Sequence, residues 1–258
     1  MISRRFFVEK ALGFLSLPAL LSYSPFNKSL VNSQDDDLLK IKALLAAKEP
    51  LKWVFAGDSI TQGAKHTAGY RSYPEIFAER VRWELKRVRD IVINSAISGN
   101  ASGDILKDYE WRIAQFAPAV VFIMIGTNDA AVNKEISTEQ FGKNIDELVS
   151  RVRKAGGIPV LQTPNIIITE KAKGRENLKN YIPIIREVSA SNNTILVDHW
   201  AYWTDKVNQN HNEVYQKWLN DELHPNGRGH DEMAKLLFKK LSIFDADSFT
   251  CSDHFLNG

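Results

Sequence analysis

The chain has 258 residues, 44% hydrophobic and 25% charged, which is enough for one sizeable α/β domain with a buried core. Its 33 basic and 31 acidic residues leave a net charge of +2, with no long basic tract and no aromatic–basic motif, so the footprint of a nucleic-acid binder is missing. Cys251 is the single cysteine, which excludes an internal disulfide and a cysteine-based metal cluster; beside a polar C-terminus it reads as an incidental thiol.

In chain order, residues 1–24 read as an export signal. A basic start is followed by Ala11–Leu21, apolar and uncharged. That run is too short for a spanning helix and is broken by Pro18, leaving an uncleaved anchor as the alternative reading. Ser3-Arg4-Arg5-Phe6-Phe7 resembles a twin-arginine signal, with Lys10 one residue off its usual place. No cysteine follows the apolar run, so a lipid anchor there is excluded. The expected location is outside the cytoplasm, periplasmic or secreted. Residues 25–40 read as a linker leading into a helix at Leu38–Ala47. The main domain is expected over 41–245, and a C-terminal tail over 246–258.

Short apolar runs then alternate with amphipathic stretches. Leu51–Ala56 reads as a buried strand, and Tyr73–Val88 as a helix with Ile76, Phe77, Val81, Leu85 and Val88 on one face. Ile91–Asn94 is a second strand, followed by a helix over Asp104–Phe116. Ala119–Ile125 is almost purely apolar, the pattern of a central parallel strand covered on both faces. A helix over Ser137–Ala155, capped by Ser137 and stopped by Gly156-Gly157, precedes a strand at Ile158–Gln162. A helix over Glu176–Ala190, a strand at Thr194–Val197 and helices ending with Gly229–Leu241 complete the chain. The alternation predicts an α/β fold, a three-layer α/β/α sandwich around a parallel five-stranded sheet.

In such folds, ligands gather at the carboxyl ends of the strands. Gly57-Asp58-Ser59-Ile60-Thr61 follows the first strand. Ser95-Ala96-Ile97-Ser98-Gly99 follows the second, Gly126-Thr127-Asn128-Asp129 the third, and Asp221-Glu222-Leu223-His224 lies near the C-terminus. A serine hydroxyl needs a base within hydrogen-bond reach, and histidine can take and return a proton near neutrality. A carboxylate then fixes the imidazole tautomer. Asp221 and His224, three apart, can share one loop facing Ser59. Backbone N–H groups of Ser59 and Gly99, with the Asn128 side chain, can hold a developing oxyanion.

These four segments resemble the SGNH hydrolases, the GDSL esterases and lipases. Gly57-Asp58-Ser59 matches the motif of the nucleophile, Gly99 and Asn128 match the oxyanion-hole residues, and Asp221 to His224 match the closing D-x-x-H. The resemblance spans Trp53–Leu241 with the motifs in the family's order. It departs at Ala96, where the family often has glycine. The α/β-hydrolase elbow G-x-S-x-G is missing, because Thr61 stands at its last glycine. The resemblance implies the flavodoxin-like SGNH fold and a serine esterase with Ser59, Asp221 and His224 as triad, working without a metal or organic cofactor. Exported members often deacetylate polysaccharides or sugars, so a carbohydrate or small-molecule ester is the expected substrate. A lysophospholipase or thioesterase of the same fold is the alternative, as is a non-catalytic carbohydrate-binding module. No P-loop or G-x-G-x-x-G follows the first strand, which counts against a phosphoryl-handling protein. Neither nucleic acid nor stable membrane insertion after signal removal is expected.

Among the other polar residues, Asp58 reads as orienting the turn and Asp129 as structural. His230 and Asp231 read as helix packing rather than metal ligation. Asp198 and His199 are candidates for shaping a substrate pocket. The aromatic stretch Trp200, Tyr202, Trp203, Tyr215 and Trp218 reads as core first and sugar-stacking surface second.

Overall fold

The computed structural model describes residues 34–252. The expected signal at 1–24, and the linker up to residue 33, lie outside the described residues.

Five parallel strands form one sheet: β1 (Lys52–Gly57), β2 (Ile91–Asn94), β3 (Val120–Met124), β4 (Ile158–Gln162) and β5 (Ile195–Val197), in the order β2-β1-β3-β4-β5. Central strands are apolar on both faces because helices cover both. Trp53 and Phe55 of β1 and Phe122 of β3 point to one face. Val54, Ala56, Val121 and Ile123 point to the other.

On the first face lie α1 (Gln34–Ala46), α3 (Tyr73–Glu79), α8 (His199–Gln209), α9 (His211–Lys217) and α10 (Gly227–Lys240). Their buried Ile41, Phe77, Trp203, Val214 and Phe238 join its core. The short α2 (Ser59–Gln62) directly follows β1. The second face carries α4 (Ser102–Lys107), α5 (Tyr109–Arg112), α6 (Thr138–Lys154) and α7 (Leu178–Ser191). Helix α6 shows why such a segment folds as it does. Ser137 accepts the Gln140 N–H at its start, Arg151, Arg153 and Lys154 complement the dipole at its end, and Phe141, Ile145, Leu148, Val149 and Val152 make one buried stripe.

Four boundaries differ from the sequence reading. Helix α1 opens at Gln34, four residues before Leu38, so Asp35, Asp36 and Asp37 form its acidic first turn rather than linker. Asp37 is buried and pairs with Arg153 at 2.8 Å, which fixes that turn against α6. The expected helix Tyr73–Val88 gives way after Glu79 to a π-helical turn, Arg80–Glu84. Lys86 takes a left-handed φ of 59°, and Val88 is exposed. Past this break Arg87 donates to the carbonyls of Leu45, Ala47 and Glu49 and to the Asp90 carboxylate, which anchors the non-helical segment. The expected helix Asp104–Phe116 breaks at Asp108 into α4, α5 and a 3-10 turn, Ala114–Phe116. Finally, the expected tail belongs to the fold up to Ser252. Thr250 donates its N–H and hydroxyl to Glu84, and Cys251 is buried in the core.

The strand order places the site. After β1 the chain reaches β2 on one side, and β3 lies on the other. The loops leaving β1, β2 and β3 therefore meet at the point where the winding reverses.

Candidate active site

Ser59 is the first residue of α2, immediately past β1. The turn is tight: a Cβ on Gly57 would lie 2.5 Å from the Met124 carbonyl oxygen and 2.4 Å from Thr61 Oγ1. Asp58 caps α2 by accepting the Ile60 N–H. Burial pushes the Asp58 carboxyl up to about 7; the Ile60 N–H and the Arg175 charge oppose the shift, and Asp129 adds to it. Asp58 thus caps the short helix that Ser59 opens.

The Asp221–His224 loop faces this turn. Ser59 Oγ lies 2.9 Å from His224 Nε2, and His224 Nδ1 lies 2.9 Å from each oxygen of Asp221. The three-residue spacing brings acid and base together because Asp221 Oδ1 also accepts the backbone N–H groups of Leu223 and His224, each at 2.8 Å. Partial burial alone would raise the Asp221 pKa. The two N–H bonds and His224 outweigh burial and hold it below the usual carboxylate range. Asn226, two residues on, caps α10 by accepting from Arg228 and Gly229, which anchors the loop to a packed helix.

Gly99 sits at φ 81°, the left-handed region that glycine enters freely, with open space where a Cβ would be. Among the described residues, neither the Ser59 nor the Gly99 backbone N–H is bonded to another protein group. Asn128 Nδ2 donates to the Asn100 carbonyl at 3.0 Å, while its Oδ1 accepts from Arg175 at 3.1 Å. With amide oxygen and one amide hydrogen both held, the other Nδ2 hydrogen remains for a ligand. Asp129 instead receives the N–H and hydroxyl of Ser102, tying the β3 loop to α4.

Three participants had no local signal strong enough to single them out. His66 stacks on His224 with ring centroids 3.5 Å apart and planes 7° apart, and its Nδ1 lies 3.1 Å from Asp221 Oδ2. Burial, His224 and Lys65 lower the His66 pKa against the opposing pull of Asp221. Arg112 of α5 is buried and donates to the carbonyls of Gly57 and Ser95 and to Asn100 Oδ1, so one guanidinium ties the Ser59 turn to the loop after β2. Arg175 holds Asn128, and no sequence motif announces it.

His66, Asp221 and His224 offer three donor atoms within 4.8 Å of one another, a set that divalent metals accept. The two imidazoles, however, are stacked in nearly parallel planes with centroids 3.5 Å apart, so their in-plane lone pairs do not share a plane in which to converge on one ion. As arranged, the trio is a hydrogen-bond network.

The remaining candidates are held by contacts of their own. Asp198 caps α8 and pairs with Arg186 at 2.7 Å, and His199 is fully buried against Gln162, so both side chains are engaged within the fold. His230 is buried and accepts the Tyr73 N–H. Trp203 and Trp218 are buried, packed edge to face.

Comparisons with known proteins give the family and the fold. The GDSL-like lipase/acylhydrolase family matches residues 55–232. An acetylxylan esterase of Geobacillus stearothermophilus is 23% identical over 210 residues, covering 74% of this chain and 94% of that protein. A lipoprotein of Bacillus subtilis is 27% identical over 173 residues, covering 58% of this chain and 70% of its own length. A Mycoplasma pneumoniae protein is 31% identical over 131 residues, half of this chain but only 15% of that protein. The crystal structure of Axe2, an acetylxylan esterase from Geobacillus stearothermophilus, superposes with a TM-score of 0.60 at 21% identity, covering 79% of this chain and 97% of that one. Two further Axe2 structures are catalytic mutants in which a serine or a histidine is replaced by alanine. The shared fold, and a family match over most of the described residues, make this chain a member of the GDSL-like lipase/acylhydrolase family and a carboxylic ester hydrolase.

Proposed function

We propose that this protein is an exported serine esterase that deacetylates an acetylated carbohydrate through an acyl-enzyme, with Ser59, His224 and Asp221 as its triad. The observation that carries the reading is the unbroken line of contacts, Ser59 Oγ to His224 Nε2 and His224 Nδ1 to Asp221, each at 2.9 Å.

Ser59 Oγ attacks the ester carbonyl carbon as His224 Nε2 takes its proton. Asp221, ionised, holds the Nδ1–H tautomer and stabilises the imidazolium that forms. The carbonyl oxygen becomes an oxyanion, received by the Ser59 and Gly99 N–H groups and by Asn128 Nδ2. On collapse, the C–O bond to the alcohol breaks, and His224 returns the proton to the leaving oxygen. Water, deprotonated by His224, then attacks the acyl-Ser59 ester and releases the acid and a free serine. The sequence of steps requires no metal or organic cofactor.

Acetylated carbohydrate as substrate is supported by the acetylxylan esterase relative and by the fold it shares with Axe2. Export is supported by the basic and then apolar N-terminus, together with the lipoprotein relative. Among the described residues, no helix is long and apolar enough to cross a membrane.

The test compares p-nitrophenyl acetate with p-nitrophenyl octanoate, wild type beside Ser59→Ala. Acetate turnover that vanishes in the variant, with fluorophosphonate labelling lost in parallel, is the expected result. Turnover that survives Ser59→Ala would overturn the nucleophile, and a strong preference for octanoate would overturn the acetyl substrate.

A further inference from the structure

His224 must return its proton to the departing oxygen, so the alcohol half of the ester leaves from the imidazole side of the site. The oxyanion donors Gly99 and Asn128 belong to other loops. On the imidazole side the structure has a cavity of about 460 Å³, lined by His66, Thr67, Tyr70, Leu219, Asn220 and Arg228 among others. That volume is within the range of small-molecule sites, roughly 300–1,000 Å³. It opens directly beside the triad: His66 lies against His224, and Asn220 precedes Asp221 in the chain, with Nδ2 3.4 Å from His66 Nδ1.

Tyr70 is built to present its ring there. It closes a four-residue turn in which its N–H donates to the Thr67 carbonyl at 3.0 Å. Both central residues, Ala68 and Gly69, have positive φ, at 52° and 88°, the signature of a type I′ turn. A left-handed alanine costs free energy, and such strain collects where a structure must aim a group. The ring's base rests on the start of α10. A Cβ on Gly227 would fall 2.6 Å from Tyr70 Cβ and 2.8 Å from Cγ, so only glycine leaves room. Yet Tyr70 is 51% exposed. An aromatic ring pinned at its root and open at its face is a platform, with Asn220 and Arg228 at hand for hydroxyl groups. Arg228 is 46% exposed and is steadied by Glu213 at 2.7 Å.

We propose that this cavity is the leaving-alcohol subsite and that the alcohol it takes is a sugar, one ring stacked on Tyr70 with its hydroxyls toward Asn220 and Arg228. The assignment rests on the esterase reading above. An apolar acyl or phospholipid chain would find Asn220, Asn226 and Arg228 in its way.

The test uses unacetylated xylotriose as a competitor against p-nitrophenyl acetate, whose small phenol reports on the triad. Xylotriose is expected to inhibit the wild type competitively. Its inhibition constant should rise about five- to tenfold in Tyr70→Ala, the size of a lost aromatic contact. Gly227→Ala, which displaces the ring without removing it, should shift it the same way. Folding of both variants is checked by circular dichroism, and the inhibition constant is read independently of each variant's own rate. Turnover without competitive inhibition in the wild type overturns the subsite while leaving the esterase intact. Equal inhibition of wild type and Tyr70→Ala overturns the role of the ring. Absence of Ser59-dependent turnover in the wild type overturns the esterase reading and the leaving-group assignment with it.

Discussion

At the scale of single residues, the distinctive feature is that two imidazoles share one carboxylate. Asp221 accepts from His224 Nδ1 and sits 3.1 Å from His66 Nδ1, and the rings are stacked. The second imidazole thus helps to hold the carboxylate that orients His224. His66→Phe keeps a stacking ring and removes the Nδ1 contact with Asp221, so kcat for p-nitrophenyl acetate should fall about three- to tenfold at about pH 8. Steady-state kinetics of both proteins decide this; an unchanged kcat means that His66 only packs. Ser59, Asp221 and His224 were legible in the sequence because each falls in a short motif beside a strand end or a loop. His66 was not, because stacking on His224 is created by the fold and leaves no pattern along the chain.

Among elements, the same contrast holds. All five strands were legible: β1, β3 and β4, buried on both faces, write themselves as continuous apolar runs, and even edge strand β2, exposed at Ile91 and Asn94, keeps an apolar Ile-Val-Ile core. Helix lengths were less so. The apolar spacing of Ile76, Phe77 and Val81 continues to Leu85, but Arg87 binds three carbonyls, of Leu45 in the last turn of α1 and of Ala47 and Glu49 just beyond it, and that position lies outside the helix. Nothing in the periodicity of 73–88 encodes a partner some forty residues earlier. Likewise α4 and α5 read as one helix, yet their break lets Arg112 reach Gly57, Ser95 and Asn100. This guanidinium couples the β1 turn to the β2 loop, and Asn100 passes the coupling to Asn128. Arg112→Met fills similar volume and leaves the Ser95 carbonyl and Asn100 Oδ1 without this donor, while the Gly57 carbonyl keeps only the Ile97 N–H. It should cost about 2–4 kcal/mol of stability, as unpaired buried acceptors do. It should also lower kcat about ten- to hundredfold, because oxyanion donors placed even 1 Å off lose effect steeply. Urea denaturation gives the first number and p-nitrophenyl acetate kinetics the second. Normal kcat in a destabilised Arg112→Met would separate fold from site and remove Arg112 from the catalytic argument.

For the whole molecule, buried ionisable groups set how stability follows pH. His199 and His230 are fully buried, and burial pushes each down to about 3, far below the usual 6.5. A histidine kept neutral by folding binds fewer protons folded than unfolded, so between pH 6.5 and about 3 each one subtracts stability as the pH falls. Asp58 acts in the opposite sense. Its carboxyl, raised to about 7 by burial, is protonated in the folded state and ionised in the unfolded one between pH 7 and 3.8, so acidification favours folding through it. From pH 6 to 5 these three leave a net of about one proton, or about 1.4 kcal/mol lost per pH unit. His199→Gln should flatten that slope by about one proton. Asp58→Asn, which keeps an acceptor for the Ile60 N–H and never ionises, should steepen it by about one. Unfolding free energies in urea at pH 7, 6 and 5 test both directions in one series. Parallel lines for all three proteins would mean that the buried groups titrate together with water that enters the fold, and that their burial does not set the acid limit. Opposite changes of slope would show that a carboxyl beneath the nucleophile offsets part of the acid cost of the two imidazoles packed around Tyr73.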